Sequence, residues 1–396
     1  MKKVILFFFL SIIILGCQSG NHKQQSNDVA VIDLSKNYPK KEIILQEIAD
    51  IEYIPLETRD DVLIGVPPVL SYVSDKFIII RDMMTNSIFV FNRNGQITSH
   101  FNRRGEGDKE YVVCTNLFFD EKNEEIYVHD NSRNKIVVYS LTGDFKRAIK
   151  LSSNFVLLDL YNFDNETMLA YNNYNFTYRL DIPKEYNEMP YMLLSKKDGN
   201  IVSVIDIRMP VRYLSRIPID LGGGMMTSLS IGCSANRYFG KDFIISDISS
   251  DTIYLLTQNR DLTPMLVRTP SVHSSEPRIV WTTLLTTDKF ILFNKVTLDF
   301  YAAENNKEIP SSTLMYNFET GETNEVSFID ENYTMRKWTT AGLLGPEISK
   351  NMTADLIWPP RLKEADEKNQ LKGELKKMVA SIDIEDNPVV RIIKFK

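Results

Sequence analysis

The stretch Phe77–Asp82 (FIIIRD), followed by Ile88–Phe91 (IFVF) and the turn residue Gly95, decides the fold because it is repeated. The same order returns about 48 residues later, where Glu125–Asp130 (EIYVHD) leads through IVVY to Gly143. In both copies a short apolar strand ends in an aspartate, a turn follows, and a second apolar strand runs to a glycine. Such a unit is too small to bury both of its faces, so it must stack on neighbouring units.

Three further units continue the repeat, and they begin with Met168–Asn172, Phe243–Asp247 and Phe290–Asn294. A polar residue at the end of such a strand suits a turn, because its short side chain accepts hydrogen bonds from the backbone N–H groups that follow. The expected structural turn residues are Asp82, Asp130, Asp247 and Asn294. A calcium site needs about six to eight converging oxygens, and turns in separate units do not supply them. We therefore predict neither a metal nor a cofactor.

Strand-rich units of about 40 to 50 residues, with about four strands each, are typical of β-propeller blades. A solenoid is the alternative, but its terminal units would need capping. Here both ends are strand-like, at 51–57 and 389–395, and pairing them in one blade would close a ring without exposed edges. The sequence therefore predicts an all-β, six-bladed propeller over residues 31–396, in which one composite blade joins five internal units.

One C-terminal α-helix is predicted at about residues 361–381. Pro359–Pro360 suits its start and Asn387–Pro388 prevents its continuation. Its apolar stripe at helical spacing consists of Leu371, Leu375, Met378 and Val379. We expect this helix to pack on the rim of the ring or to cover one face before the final strand.

The first seventeen residues have the pattern of a secretory signal: two lysines, an apolar stretch of about a dozen residues, and a small residue before the cut. The segment Ile14–Cys17 (ILGC) resembles a bacterial lipobox, which implies a lipoprotein signal peptide over 1–17 and acylation of Cys17. An uncleaved membrane anchor is the alternative. Residues 18–30 read as a flexible tether. Surface-exposed lipoproteins with such signals tend to carry acidic residues directly after the acylated Cys, and residues 18–23 contain none. The resemblance therefore implies an outer-membrane lipoprotein that faces the periplasm rather than the cell surface.

Charge and cysteine content exclude several classes of function. A net charge of −6 argues against a nucleic-acid partner, because phosphate contacts need concentrated Lys and Arg. Cys114 and Cys233 lack the C-x-x-C spacing of zinc sites and read as isolated buried thiols, although a disulfide between them stays open. The chain has no G-x-S-x-G nucleophile elbow and no H-E-x-x-H motif.

With the repeats and both ends in view, the chain resembles the six-bladed β-propeller lipoproteins of Bacteroidetes, which are related to propellers built from NHL repeats. The residues that carry this resemblance are Ile51–Thr58 (IEYIPLET), Gly105–Tyr111 (GEGDKEY), Ile126–Asp130 (IYVHD) and Asp386–Val389 (DNPV). The glycine turn departs from the family pattern at Lys109, where a third glycine is usual. The resemblance implies the fold and an envelope location, and it leaves the activity open.

The turns after the second strands and the links between blades should open on one face of the ring. That face would gather basic, acidic and aromatic side chains suited to a carboxylate, a sugar or a peptide. The candidate ligand-binding residues are Arg103, Arg104, Glu106, Tyr111, Arg133 and Lys135. We expect a binding or scaffold protein with no catalytic residues, held at the membrane by its lipid and binding a protein, peptide or glycan. The alternative is a metal-dependent hydrolase or lyase acting on a glycan or lactone at the propeller funnel.

Overall fold

The computed structural model describes residues 29–151, 158–172, 188–213, 216–222, 225–230, 236–298, 310–333, 337–338 and 347–396. Within these ranges the chain consists mainly of short strands joined by turns, and it contains three helices. Cys17 and Cys233, which the sequence singles out, lie outside the described residues.

The N-terminal part contains four elements before the first complete blade, which are β1 (Ala30–Asp33), β2 (Lys40–Ile44), α1 (Leu45–Ile48) and β3 (Ala49–Pro55). Blade 1 consists of β4 (Pro68–Val73), β5 (Phe77–Asp82), β6 (Ile88–Asn92) and β7 (Ile97–Phe101). Blade 2 consists of β8 (Asn116–Asp120), β9 (Glu125–Asp130), β10 (Lys135–Ser140) and β11 (Phe145–Lys150). Blade 3 consists of β12 (Leu158–Asn162), β13 (Thr167–Asn172), β14 (Tyr191–Ser195) and β15 (Ile201–Val204).

A separate hairpin, β16 (Arg216–Gly222) and β17 (Met225–Ser230), precedes blade 4, which consists of β18 (Asn236–Phe239), β19 (Asp242–Ile245), β20 (Thr252–Leu256) and β21 (Leu262–Thr269). Blade 5 consists of β22 (Ile279–Thr286), β23 (Phe290–Thr297), β24 (Ser311–Asn317) and β25 (Thr323–Ile329), with β26 (Lys337–Trp338) paired to β25. The last elements are β27 (Glu347–Ser349), β28 (Met352–Ile357), α2 (Pro359–Glu367), α3 (Gly373–Val379) and β29 (Val389–Phe395).

Blade 6 closes the ring with strands from both ends of the chain. Its order is β27-β28-β29-β3, so an N-terminal strand forms its outer edge. The two terminal strands are antiparallel, with Val389 opposite Pro55 and Phe395 opposite Ala49. The predicted six-bladed propeller and its composite closing blade are therefore confirmed. Two N-terminal strands also add to the outer edges of existing blades. Strand β1 pairs in parallel with β21 of blade 4, and β2 pairs in parallel with β25 of blade 5.

The hydrophobic core is divided among the interfaces between neighbouring blades. Each interface has its own apolar cluster, from blades 1 and 2 around the ring to blades 6 and 1. A middle strand such as β5 or β9 is buried along nearly its whole length because blades cover both of its faces. This double burial explains why the second strand of each unit reads as a continuous apolar run rather than an alternating one.

The C-terminal helical segment is present but divided. The chain turns at Asn369 and Gly373, which adopt φ angles of 54° and 56°, so α2 and α3 replace the single helix expected over 361–381. Leu371, Leu375 and Val379 are buried as the stripe predicted. They pack with Ile357 and Val389 of blade 6, which places the segment on the rim of the ring.

The antiparallel order of strands gives the ring two distinct faces. The upper face holds the turns between second and third strands and the links from one blade to the next. The lower face holds the turns between first and second strands and between third and fourth strands. The innermost strands β4, β8, β12, β18, β22 and β27 line the central channel that joins the two faces.

Candidate functional site

The aspartates of the upper face hold their turns through backbone hydrogen bonds. Asp82 Oδ1 accepts the N–H groups of Met84 (2.7 Å) and Thr85 (3.0 Å), and Oδ2 accepts that of Gly65 (3.1 Å). Burial raises the pKa of Asp82, but these hydrogen bonds outweigh it and hold the pKa below its ordinary value. The aspartate thus ties its own turn to the link that enters blade 1.

Asp130 and Asp247 also accept backbone N–H groups of the turns that follow them. Asp130 accepts the N–H groups of Val112 (2.8 Å) and Ser132 (3.1 Å). Asp247 accepts the N–H group of Ser249 (2.7 Å) and the hydroxyl of Tyr171 (2.6 Å).

Asn294 is not in a turn, contrary to its grouping with the three aspartates. Strand β23 of blade 5 continues to Thr297, so Asn294 lies within it. Its cross-strand neighbours are Thr282 on β22 and Thr313 on β24. Its side chain accepts a hydrogen bond from the Thr313 hydroxyl (3.1 Å). The repeat correctly places Asn294 on the second strand of its unit. That strand is longer in blade 5, so the turn begins after Thr297 instead of at Asn294.

The predicted ligand-binding residues of the upper face do not all reach solvent. Arg104, Glu106 and Arg133 are exposed. Arg103 is exposed too, but its Nε donates to the carbonyl of Gly143 (2.8 Å). Lys135 is half-buried and donates to the carbonyls of Gly107 and Asp108 (both 3.3 Å), which supports the link between blades 1 and 2.

Tyr111 cannot serve as a surface contact, which corrects its place in the candidate set. It is fully buried, and its hydroxyl donates to the carbonyl of Asn86 (2.7 Å). Burial raises its pKa well above the ordinary value, so the phenol stays protonated as a donor. Its apolar ring joins the core between blades 1 and 2.

The lower face contains a pocket of about 390 Å³ at the mouth of the central channel. Its walls come from Tyr72 on β4 of blade 1, from the ends of the first strands and the following turns in blades 2 to 4, and from the third-to-fourth-strand turn of blade 4. Four aromatic residues form its apolar part, namely Tyr72, Phe119, Phe163 and Tyr238. The polar part consists of Asp120, Glu121, Lys122, Asn162, Asp164, Asn165, Lys241 and Gln258.

A buried lysine fixes the wall between blades 2 and 3. Lys196 Nζ donates to Asp120 Oδ2 (2.7 Å), Asn162 Oδ1 (2.6 Å) and the Asp164 carbonyl (2.6 Å). The side chains of Lys196 and Asp120 are only 5% and 4% exposed. All three ammonium donors are satisfied, so Lys196 acts as a rigid brace rather than as a group facing the ligand.

The two tyrosines of the pocket are held in place by hydrogen bonds of their hydroxyl groups. Tyr72 donates to Glu121 Oε2 (2.6 Å), and its ring meets Phe119 edge-on at 5.1 Å. Tyr238 accepts the backbone N–H of Asn162 (2.7 Å). At the exposed rim, Lys122 Nζ donates to Asn165 Oδ1 (3.1 Å). The pocket thus offers fixed ring faces surrounded by carboxylate, amide and ammonium groups.

The sequence reasoning missed this pocket because it followed the aspartate turns to the opposite face. One signal was present: the turns of blades 2 and 3 both begin with Phe-Asp, at Phe119–Asp120 and Phe163–Asp164. Both pairs line the pocket. Tyr72 and Tyr238 carry no comparable motif.

The described ranges contain no group of three or more His, Cys, Asp or Glu side chains arranged to hold a metal ion. Within the same ranges, no helix is long and apolar enough to cross a membrane.

Comparison with solved structures supports the fold. A protein of Bacteroides fragilis described as a candidate exported protein matches 93% of this chain and 100% of its own, with 14% identity and a TM-score of 0.62. A member of the DUF4221 family from Bacteroides vulgatus matches 88% of this chain and 97% of its own, with 9% identity and a TM-score of 0.42. At 14% identity, the likeness to the Bacteroides fragilis protein concerns the fold alone.

No curated protein matches the sequence. The profile of one family, described as "Domain of unknown function (DUF4934)", matches residues 29–394. This match extends over nearly the whole chain, and the chain therefore belongs to the DUF4934 family.

Proposed function

We propose that this propeller is a binding protein of the cell envelope that holds a sugar or a similar hydroxyl-rich ligand in the lower-face pocket. The observation that carries the proposal is the composition of that pocket, which combines four aromatic residues with carboxylates, amides and lysines. Its volume of about 390 Å³ lies within the range of small-ligand sites.

The chemistry of the pocket suits hydroxyl groups. Each hydroxyl of the ligand can both donate and accept a hydrogen bond. At the rim, Glu121 supplies acceptors, Lys241 supplies donors, and the amide of Asn165 supplies both. Aromatic faces such as Tyr72 and Tyr238 offer apolar area at a low cost in side-chain entropy. Because Lys196 holds two of the turns rigid, little ordering would be needed on binding.

Binding to a saccharide panel, measured by thermal shift and calorimetry, tests this proposal, with peptides as the comparison ligands. The variant N165A/K241A removes two exposed polar groups from the rim and should weaken binding about thirtyfold, since each hydrogen bond contributes about 1 kcal/mol. The matched variant R104A/R133A removes two exposed charges from the upper face and should leave the affinity unchanged.

The reverse pattern, with R104A/R133A weakening binding and N165A/K241A neutral, would place the ligand on the upper face and refute the pocket. Turnover of a saccharide or lactone that requires added metal would support the hydrolase or lyase alternative instead.

We also propose that the propeller is exported and tethered by a lipid on Cys17. The lipobox-like segment Ile14–Cys17 supports this, as does the Bacteroides fragilis protein of the same fold, which is described as a candidate exported protein. Replacing Cys17→Ser should move the protein from the membrane fraction to the soluble fraction and abolish labelling by a fatty-acid analogue. Membrane association that survives this change would contradict the lipid anchor.

A further inference from the structure

Five large apolar side chains are exposed together on the upper face, at the seam between blades 6 and 1. We name them the seam patch, which consists of Leu63, Val66, Met83, Met84 and Ile384. Each is between 51% and 69% exposed. Several large apolar side chains exposed on neighbouring loops are more indicative of an interaction site than single exposed ones.

Hydrogen bonds join the three loops that carry the patch into one surface. Asn387 accepts the N–H of Ile64 (2.9 Å) and donates to the carbonyl of Val62 (2.7 Å), which ties the loop of Ile384 to that of Leu63. Asp82 accepts the N–H groups of Gly65 and Met84, which ties the loop of Val66 to the methionine turn. The patch therefore rests on buried, fully bonded residues.

The two methionines are not required by the turn in which they lie. The corresponding turn of blade 2, after Asp130, has Asn131 and Ser132 at the positions of Met83 and Met84. Both turns are held by an aspartate that accepts backbone N–H groups. In blade 2 the Ser132 hydroxyl adds a hydrogen bond to Asp130 (2.6 Å), which a methionine side chain at the position of Met84 cannot supply. Exposed methionines adapt readily to an apolar partner surface.

Charged groups of opposite sign lie at the two ends of the patch. On the blade 6 side, exposed Asp383 and Glu385 flank Ile384. On the blade 2 side are exposed Arg104 and Arg133. Asn102, two residues before Arg104, donates to the Thr85 carbonyl (2.8 Å), so the basic end adjoins the methionine turn. Exposed Glu106 and Asp108 lie in the same link as Arg104, but they are outnumbered by exposed Arg103, Arg104, Lys109 and Arg133. The exposed charge therefore changes from net acidic at blade 6 to net basic at blade 2.

We propose that the seam patch is the interface of a symmetric homodimer. A twofold axis through the apolar centre places the acidic end of one copy against the basic end of the other, so the surface is complementary to itself. The patch is small for an obligate interface, which fits a weak dimer in the micromolar range. Two upper faces would be covered, and both lower-face pockets would stay open.

Sedimentation of the full chain at about 1 to 100 μM tests the proposal. The wild-type chain should dimerise, and M83N/M84S, which copies the blade 2 turn, should raise the dimer Kd about tenfold or more. Val202→Ser, which replaces another exposed apolar residue on β15, should leave the Kd unchanged. Thermal unfolding of each variant at wild-type temperature shows that the fold is intact.

A charge exchange tests the twofold arrangement. Arg104→Glu and Glu385→Arg should each weaken the dimer, because each brings like charges together, and the double variant R104E/E385R should restore it. A chain that is monomeric throughout, or a dimer insensitive to M83N/M84S, would overturn the proposal, as would failure of the double exchange. Patch-dependent binding to vesicles of phosphatidylglycerol and phosphatidylethanolamine would overturn it in favour of a lipid surface.

Discussion

At the scale of single residues, Gly95 shows how one turn can require glycine for two separate reasons. Its φ of 82° lies in the left-handed region, and a Cβ there would lie 2.2 Å from the carbonyl oxygen of Pro55. Gly321 occupies the equivalent turn of blade 5 with a φ of 72°, but its nearest neighbour to a Cβ would be the Tyr316 hydroxyl at 3.9 Å. Comparing the two positions therefore separates the free-energy cost of a positive φ from the additional cost of a steric clash.

Gly321→Ala should therefore lower the free energy of unfolding by about 1 kcal/mol, the cost of a positive φ. Gly95→Ala should cost at least about 2 kcal/mol more, because the backbone of the closing strand β3 must also move. Denaturant unfolding of both variants measures the difference. Equal losses would show that the Pro55 contact relaxes without cost.

Glu125 gives the fold a dependence on acid pH. Arg147 binds both of its oxygens, at 2.8 and 2.7 Å, and this lowers the pKa of Glu125 from 4.5 to about 2. A folded-state pKa below the unfolded one stabilises the fold above pH 4.5, and that stabilisation is lost as the pH falls toward 2.

Glu125→Gln should accordingly flatten the fall in unfolding free energy between pH 4.5 and 2, as measured by urea unfolding at a series of pH values. Glu124→Gln changes the exposed neighbouring carboxyl and is the charge-matched control, for which the slope should persist. An unchanged slope in Glu125→Gln would refute the role of the Arg147 pair.

At the scale of elements, a buried ion network joins blades 5 and 6 next to the closure of the ring. Arg391 of β29 forms two hydrogen bonds to Asp355 (2.9 and 2.6 Å) and one to Asp330 (3.3 Å). Asp330 also accepts the hydroxyl of Tyr53 on β3 (3.1 Å). Arg391 and Asp330 are 4% and 0% exposed, so neither charge could be left alone without a large cost.

Arg391→Met should lower the free energy of unfolding by about 3 to 5 kcal/mol, since two carboxylates would lose their buried partner. Lys394→Met is the matched control on the same strand. Its partner Asp75 is 91% exposed, and such surface pairs contribute less than about 1 kcal/mol. A loss of similar size in both variants would show that packing of β29, not the ion network, sets the effect.

Individual elements also show what sequence reasoning could reach. The second strands of blades 1 and 2 were predictable because burial on both faces leaves an unbroken apolar run, as in Ile78–Ile80. The division of the C-terminal helix was not, because it depends on the positive φ angles at Asn369 and Gly373. The apolar spacing of Leu371 and Leu375 is compatible with either a continuous helix or a turn followed by one.

At the scale of the whole molecule, the ring was predictable and its pocket was not. A repeat and two strand-like ends suffice to predict closure, because unpaired edges are unfavourable. The pocket depends on which side chains meet at the channel mouth. Tyr72 and Tyr238 come from blades 1 and 4 and line the same pocket only because the intervening blades stack around the channel. The loops of Leu63 and Ile384 in the seam patch likewise adjoin each other only across the seam between blades 6 and 1.

The final strand β29 should therefore control the cooperativity of the entire ring. Val390 and Ile392 pack in the core shared with blade 1, while Ile393 and Phe395 pack in the core shared with blade 5. The strand also pairs with β28 and β3. Removing residues 389–396 would delete apolar side chains from both cores and leave the edges of β28 and β3 unpaired.

We expect this truncated chain to lose its cooperative thermal transition and to aggregate, whereas a chain that begins at residue 29 should unfold as the full chain does. A truncated chain that never folds would give the same result, so Ile392→Ala supplies the graded measurement. Ile392 is fully buried, and its replacement should cost about 2 to 5 kcal/mol while preserving a single transition. A truncated chain that still unfolds in one sharp step at the original temperature would mean that the ring is held by its blade interfaces without closure.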